Sequence, residues 1–384
     1  MIRNFQYRIY PTGKQKRQME SVLIACMRLW NYFLEQRDTA YKTDKTSISY
    51  FAQMKEIPKL AIKDPSIKEV YSQTLQDVPK RLDKAFQAFF RRVKVGETPG
   101  FPRFKNRDRY NSFTYPQNNG SFKLAEEGKI YLSKIGHVKI EYHREAKGTW
   151  KTCTVKRTPI GKWYVVISSE LPDVAVEKSI KPAVGIDLGL KEFAVMSDGS
   201  KIKRARFFKA EEDALAKAQR KFDKQKKGSP ARHKTRKIVA RIHERITNKR
   251  KNFTHQNSRK IVNKYGTICL EDLNVQNMLQ KSTILVDGQQ LSAKPTHRSI
   301  NDVSWNEFVR QLKYKAEEAG SSVILVDPKN TTKMCSVCGK LVNKDLSDRE
   351  HNCSCGHSED RDLNASKNIL AVGLHSLGVL KKAS

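Results

Sequence analysis

Residues 2–10 alternate apolar and polar, with Phe5, Tyr7 and Ile9 on one face, and predict a short strand that stops at Pro11. Thr12 and Gln15 have the spacing of a capping box, in which a hydroxyl and an amide side chain satisfy free amides at a helix start. The helix they open carries Met19, Val22, Cys26, Leu29, Trp30 and Phe33 at three- and four-residue intervals. A second amphipathic run covers about 66–95 through Val70, Leu75, Val78, Leu82, Phe86 and Phe89, with Pro79 expected to kink or divide it. Residues 12–95 thus read as a helical module whose aromatics pack a core. Over 96–116, Pro, Gly, Lys and Arg alternate with Phe101, Phe104, Tyr110, Phe113 and Tyr115. That mixture suits a loop lying over phosphates or bases, or a linker whose rings tuck into a neighbouring core.

From 120 to 170 the pattern turns strand-like in KIYLS, HVKIEYH, TCTVKRT and KWYVVISSE, separated by turn signals at Asn119-Gly120, Glu127-Gly128 and Ile160-Gly161. With 2–10 returning as an extra strand, these segments predict a small β-barrel interrupted by the helical module. An α/β pattern begins near 181. PAVGIDLGL and EFAVMSDGSKI read as a hairpin, with Asp198-Gly199 at or beyond its end. Ser229-Pro230 starts a helix in which Ile238, Ile242 and Ile246 mark one buried face. TICLEDL (267–273) is a buried strand and 274–300 a polar loop. Ser304 and Glu307 suggest another capping box, Gly320 ends that helix, and SSVILVD (321–327) is a strand. A cysteine module and a short helix from about 363 follow.

Composition changes the picture chiefly through charge. The 384 residues suggest two to three domains, and 38% apolar with 9% aromatic residues exclude wholesale disorder. Lys and Arg outnumber Asp and Glu by 74 to 40, a net +34, which makes a polyanion the default partner. Residues 201–264 alone hold 23 basic against 5 acidic side chains; such a stretch repels itself unless an anion offsets it. No run approaches the ~18 apolar residues of a membrane-spanning helix, and no basic-then-apolar leader is visible, so a cytoplasmic location is expected.

Seven Cys, four of them clustered near the C-terminus, do not resemble a secreted disulfide framework. Cys335-x-x-Cys338-Gly and Cys353-x-Cys355-Gly offer four thiolates for one structural zinc. The second pair is a residue short of the usual spacing, leaving His351 or His357 as alternative ligands. Cys26, Cys153 and Cys269 sit in apolar patterns and read as core. Three acids stand out by context: Asp187 ends the apolar strand VGID, Glu271 ends TICLE, and Asp362 opens a helix directly after the cysteines. Converging carboxylates repel unless cations compensate, and magnesium does so well. Two such ions about 4 Å apart can activate water and stabilise the leaving oxygen in phosphodiester cleavage. Singly, each acid could instead cap a turn, pair with a base or cap the helix.

GIDLGLKEFAV, LEDLNVQNM and CSVCG…CSCGHSEDRDLNASKNI occur in this order, with YRIYPTGKQ, LWNYFL and GFPRFK before them. Through these motifs nearly the whole chain resembles the TnpB family, RNA-guided nucleases encoded by insertion sequences and related to the ancestors of type V CRISPR effectors. The resemblance implies an α/β multidomain fold. A β-barrel wedge domain (1–11 and 96–178) would contain an inserted helical recognition domain (12–95). A RuvC-like nuclease of RNase H type (179–328 and 359–372) would be interrupted by a zinc finger (329–358), and 373–384 would be a polar tail. The family's magnesium-binding carboxylates fall on Asp187, Glu271 and Asp362; Asp362 is preferred to Asp360 because the motif places Asp two residues before Asn. The implied partners are a guide RNA from the transposon end and double-stranded DNA with a short motif beside the target, bound by a monomer. Lys80, Arg81, Arg103, Lys105, Arg232, Lys234, Arg236, Lys237 and Arg241 are the candidate nucleic-acid contacts, chosen by helix face and loop position. Rival readings are a catalytically silent RNA-guided repressor, a zinc-containing DNA binder without RNA, and a resolvase of branched DNA. Retention of all three acids argues against the first.

Overall fold

The computed structural model describes residues 1–378 apart from 127, 173–176, 281–282, 287–288, 293 and 346–347. Glu127 of an expected turn and the tail from 379 onward therefore lie outside the described residues. The chain forms two compact units, Met1–Val174 and Ala175–Ser384.

In the first unit β1 (Ile2–Tyr10) is followed by α1 (Gly13–Asp44), α2 (Tyr50–Lys63) and α3 (Ser72–Lys94). Six strands come next: β2 (Ser112–Tyr115), β3 (Phe122–Ala125), β4 (Lys129–Leu132), β5 (Gly136–Glu141), β6 (Thr149–Arg157) and β7 (Trp163–Glu170). They make one antiparallel sheet in the order β2-β6-β7-β1-β5-β4-β3. β1 is central because its whole length pairs, with β7 along Ile2–Ile9 and with β5 at Arg8–Tyr10. The alternation read from sequence is obeyed: Phe5, Tyr7 and Ile9 of β1 and Trp163, Val165 and Ile167 of β7 are buried in one core with the apolar face of α1. The sheet ends at β2 and β3, which do not pair with each other, so it is a half-barrel and not the closed barrel expected. The Thr12–Gln15 capping box is present. Pro79 does not divide α3: the loss of one amide donor is tolerated where Val78, Pro79 and Leu82 are all buried. Tyr110, Phe113 and Tyr115 tuck into the core, whereas Phe101 and Phe104 stay exposed.

The second unit begins with β8 (Ala183–Asp187), β9 (Glu192–Met196), β10 (Lys201–Lys203), α4 (Glu212–Lys224), α5 (Pro230–Lys264) and β11 (Thr267–Glu271). Residues 274–300, expected to be a polar loop, instead contain α6 (Val275–Gln280), the hairpin β12 (Thr283–Val286) and β13 (Gln289–Ser292), and the start of α7 (Lys294–Val303). Then come α8 (Trp305–Glu318), β14 (Ser322–Val326), β15 (Glu350–Asn352), β16 (Ser358–Asp360) and α9 (Arg361–Ser376). The main sheet runs β10-β9-β8-β11-β14, with β8, β11 and β14 parallel. Val184, Ile186, Ile268, Cys269 and Leu270 are fully buried, as expected of parallel strands covered on both faces. Ser229 caps α5 as read, and Ile242 and Ile246 are buried, but Ile238 is exposed. Ser304 makes no side-chain cap: its backbone is left-handed, with φ 61°, and Glu307 binds Arg310 and Gln311 instead. Among the described residues no helix is long and apolar enough to cross a membrane.

Candidate active site

Asp187 and Glu271 end the adjacent parallel strands β8 and β11, where Ile186 stands one residue earlier opposite Leu270. The third acid depends on how closely α9 can lie against those strands. Gly185 and Gly373 permit it: a Cβ on Gly185 would fall 2.0 Å from the Ser366 carbonyl oxygen, and one on Gly373 would fall 2.3 Å from the Cys269 sulfur. With α9 seated, Asp362 in its first turn acts on Asp187 along with Glu271. Burial, then Glu271 and Asp362, push the Asp187 carboxyl up to about 8; Arg361 opposes them. Burial also raises Glu271, against a hydrogen bond of 2.5 Å donated by the Thr331 hydroxyl to its Oε1. Arg361 donates from Nε to Asp362 Oδ1 at 3.2 Å. Asp360 has a different task. Its Oδ1 accepts from the amides of Asp362 and Leu363, capping α9, and its Oδ2 accepts from Lys201.

The four cysteines converge. Their sulfurs all lie within 4.8 Å of one another, with Cys335 to Cys355 at 3.8 Å and Cys338 to Cys353 at 3.5 Å. A tetrahedron of thiolates about 2.3 Å from zinc has edges of about 3.8 Å, so the set fits that ion. Each pair sits in a turn closed by a left-handed glycine, Gly339 at φ 73° and Gly356 at φ 86°. Cys353 and Cys355 lie between β15 and β16, so the short Cys-x-Cys spacing is absorbed by a hairpin turn and no histidine is needed to complete four ligands. His351 is buried, with Nδ1 2.5 Å from Lys344 Nζ, and His357 lies near Ser336 and Glu359. The cysteine group is the metal-ligand cluster found among the described residues; the three carboxylates are not drawn into one as tight.

Sequence reasoning missed the residues that join these two sites. Asn364 and Asn368 of α9 are buried and donate to the Met334 carbonyl, Asn368 also to that of Thr331; Asn364 Oδ1 accepts from the Ser336 amide. They tie the first cysteine turn to the helix that carries Asp362. Polar residues inside an apolar helix face were the available signal. The nine proposed basic contacts divide. Lys80, Arg103, Lys234, Arg236, Lys237 and Arg241 are exposed. Arg81 instead donates to Ser112, Lys105 sits 3.6 Å over the Trp30 ring, and Arg232 donates to the Phe222 and Gln225 carbonyls.

Comparison with known proteins bears on the family and the fold. Residues 166–282 match the family described as "Probable transposase", and residues 305–369 the "Cas12f1-like, TNB domain". Residues 1–46 match a family described as a helix-turn-helix domain, although here they form β1 and the unbroken helix α1. A Streptomyces pristinaespiralis protein named an RNA-guided DNA endonuclease is 33% identical over 97% of this chain and 89% of its own. InsQ of Escherichia coli strain K12, which bears the same name, is 31% identical over 97% of this chain and 92% of its own. The cryo-EM structure of a Cas12f1-sgRNA-target DNA complex shares the fold at TM-score 0.55 and 13% identity, over 96% of this chain and 98% of that one.

Proposed function

This chain belongs to the TnpB family of RNA-guided DNA endonucleases, and we propose that it cuts double-stranded DNA chosen by a guide RNA from the transposon end, beside a short motif, at a RuvC-like site made by Asp187, Glu271 and Asp362. One observation carries the chemistry: Asp187 and Glu271 end adjacent parallel strands and Asp362 opens the helix seated against them, so that burial, Glu271 and Asp362 together raise the Asp187 carboxyl. Carboxylates so placed oppose the ionisation of Asp187, and a cation bound between them would relieve that repulsion. Their hard oxygens, completed by water and substrate phosphate, suit magnesium, which when bound supplies charge neutralisation and a more acidic water for phosphodiester hydrolysis. Asp187, Glu271 and Asp362 would hold it. Thr331 fixes the rotamer of Glu271, and Arg361 balances part of the negative charge at Asp362. Zinc on the four cysteines would be structural, holding the turns that Asn364 and Asn368 bind.

Support for the nucleic-acid partners comes from the net charge of +34, the names of the full-length relatives and the fold shared with an RNA- and DNA-bound protein. The test expresses the chain beside its native flanking DNA, sequences the RNA that copurifies, and assays cutting of a matched plasmid in magnesium. Asp187→Ala is expected to retain RNA and DNA and to cut at background level. Undiminished cutting by that variant would overturn the site. Binding without cutting by the unsubstituted chain would leave an RNA-guided DNA binder.

A further inference from the structure

Helix α8 carries Asn306, Val309, Arg310 and Lys313 at three- and four-residue spacing, hence on one stripe. This stripe borders a cleft of about 300 Å³ that also reaches Glu271 and Asp272. The rest of its wall includes the apolar side chains of Leu188, Trp305 and Leu325. The Trp305 indole nitrogen is buried and has no hydrogen-bond partner among the described residues. Arg310 is held at its guanidinium by Glu307, through Nε to Oε2 at 2.8 Å and Nη2 to Oε1 at 2.7 Å, which leaves Nη1 facing away from that carboxylate. Lys313 is exposed and makes no ion pair or hydrogen bond among the described residues. Basic helix stripes are commonly just solvated. This one differs in sharing a cleft with Glu271 and an apolar wall.

A nucleotide has the same mixed chemistry, an apolar face of base and sugar joined to an anionic phosphate. We infer that this cleft holds the single DNA strand being cut, with Lys313 and Arg310 binding a phosphate that flanks the scissile one. The inference rests on the reading of Glu271 as part of the nuclease site, and it adds a substrate contact that none of the nine basic residues chosen from sequence supplies.

The experiment uses the full chain loaded with its guide RNA and a matched single-stranded DNA oligonucleotide in magnesium. Single-turnover cutting is measured against oligonucleotide concentration at several salt concentrations for Lys313→Ala, Lys313→Arg and Asp187→Ala. For Lys313→Ala the half-saturating concentration should rise about tenfold, the size of one charge-assisted contact. The slope of log affinity on log salt should become shallower by about 0.7, the value for one phosphate on a single strand. Lys313→Arg should restore both, and RNA retention should not change. If Lys313→Ala keeps the affinity and salt slope while Asp187→Ala abolishes cutting, the cleft assignment falls and the nuclease reading stands. A loss that is independent of salt and not restored by Arg also overturns it, marking a structural role. Undiminished cutting by Asp187→Ala overturns the reading beneath both.

Discussion

Lys315 shows how one buried residue can be physically costly. It lies on the buried face of α8, and its ammonium donates to the His255 carbonyl at 2.8 Å and the Ser258 hydroxyl at 2.7 Å, with no carboxylate in contact among the described residues. Burial, with Arg259 adding repulsion and Glu318 opposing it, brings Lys315 down to about 8. An unfolded lysine keeps its proton to about pH 10.4. Between those values the unfolded chain binds a proton that the folded chain lacks, so this residue makes stability rise as pH increases through the window. Urea unfolding from pH 7.5 to 10 should show that rise, and Lys315→Met should show less of it. Equal slopes for the two proteins would refute the assignment. Residue-scale legibility was uneven. Asp187 and Glu271 stood out because a carboxylate ending an apolar run is conspicuous, and Asp362 because it opens a helix directly after the cysteines. Thr331 and Asn364 did not, since their roles come from partners distant in the chain.

At the scale of elements, the strongest constraint is the approach of α9 to β8. Adding one methyl at Gly185 would place a carbon 2.0 Å from the Ser366 oxygen and 2.6 Å from the Leu370 amide nitrogen, both backbone atoms that cannot rotate away. Gly185→Ala should therefore lower stability by about 1–3 kcal/mol and move Asp362 away from Asp187, so that cutting falls more than guide-RNA binding does. Denaturant unfolding and a cleavage assay on the same preparation check both halves, and unchanged cutting would show that α9 has room to spare. The elements themselves were readable where local pattern and burial agree: β1, α1 and β7 alternate or repeat cleanly and bury those same positions. Two readings failed for identifiable reasons. Residues 274–300 contain two helices and a hairpin with no clear apolar period to announce them. Ser304 has the residue types of a capping box but a left-handed backbone. Of the two outcomes expected at Pro79, division of α3 does not occur, because burial of its neighbours offsets the lost hydrogen bond.

For the whole molecule, charge is the governing quantity. A chain of +34 that neutralises six to ten phosphates should lose about 10³–10⁵ in RNA affinity between 50 and 200 mM salt, and filter binding over that range measures it. A flat response would remove the argument from charge to a polyanion. The sequence by itself determined the net charge that favours a polyanion, the order of most strands and helices outside 274–300, the four thiolates and the three conspicuous acids, because net charge, periodicity and ligand type are properties of the chain alone. Tertiary structure decided what depends on residues far apart. It left the first sheet an open half-barrel, let the Cys-x-Cys pair close a four-sulfur cluster without histidine, and turned Arg81, Lys105 and Arg232 to structural contacts. It also set Asp187 under the field of Glu271 and Asp362, since a carboxyl's acidity is fixed by burial and neighbouring charge, and these arise only when β8 pairs with β11 and α9 closes on the sheet.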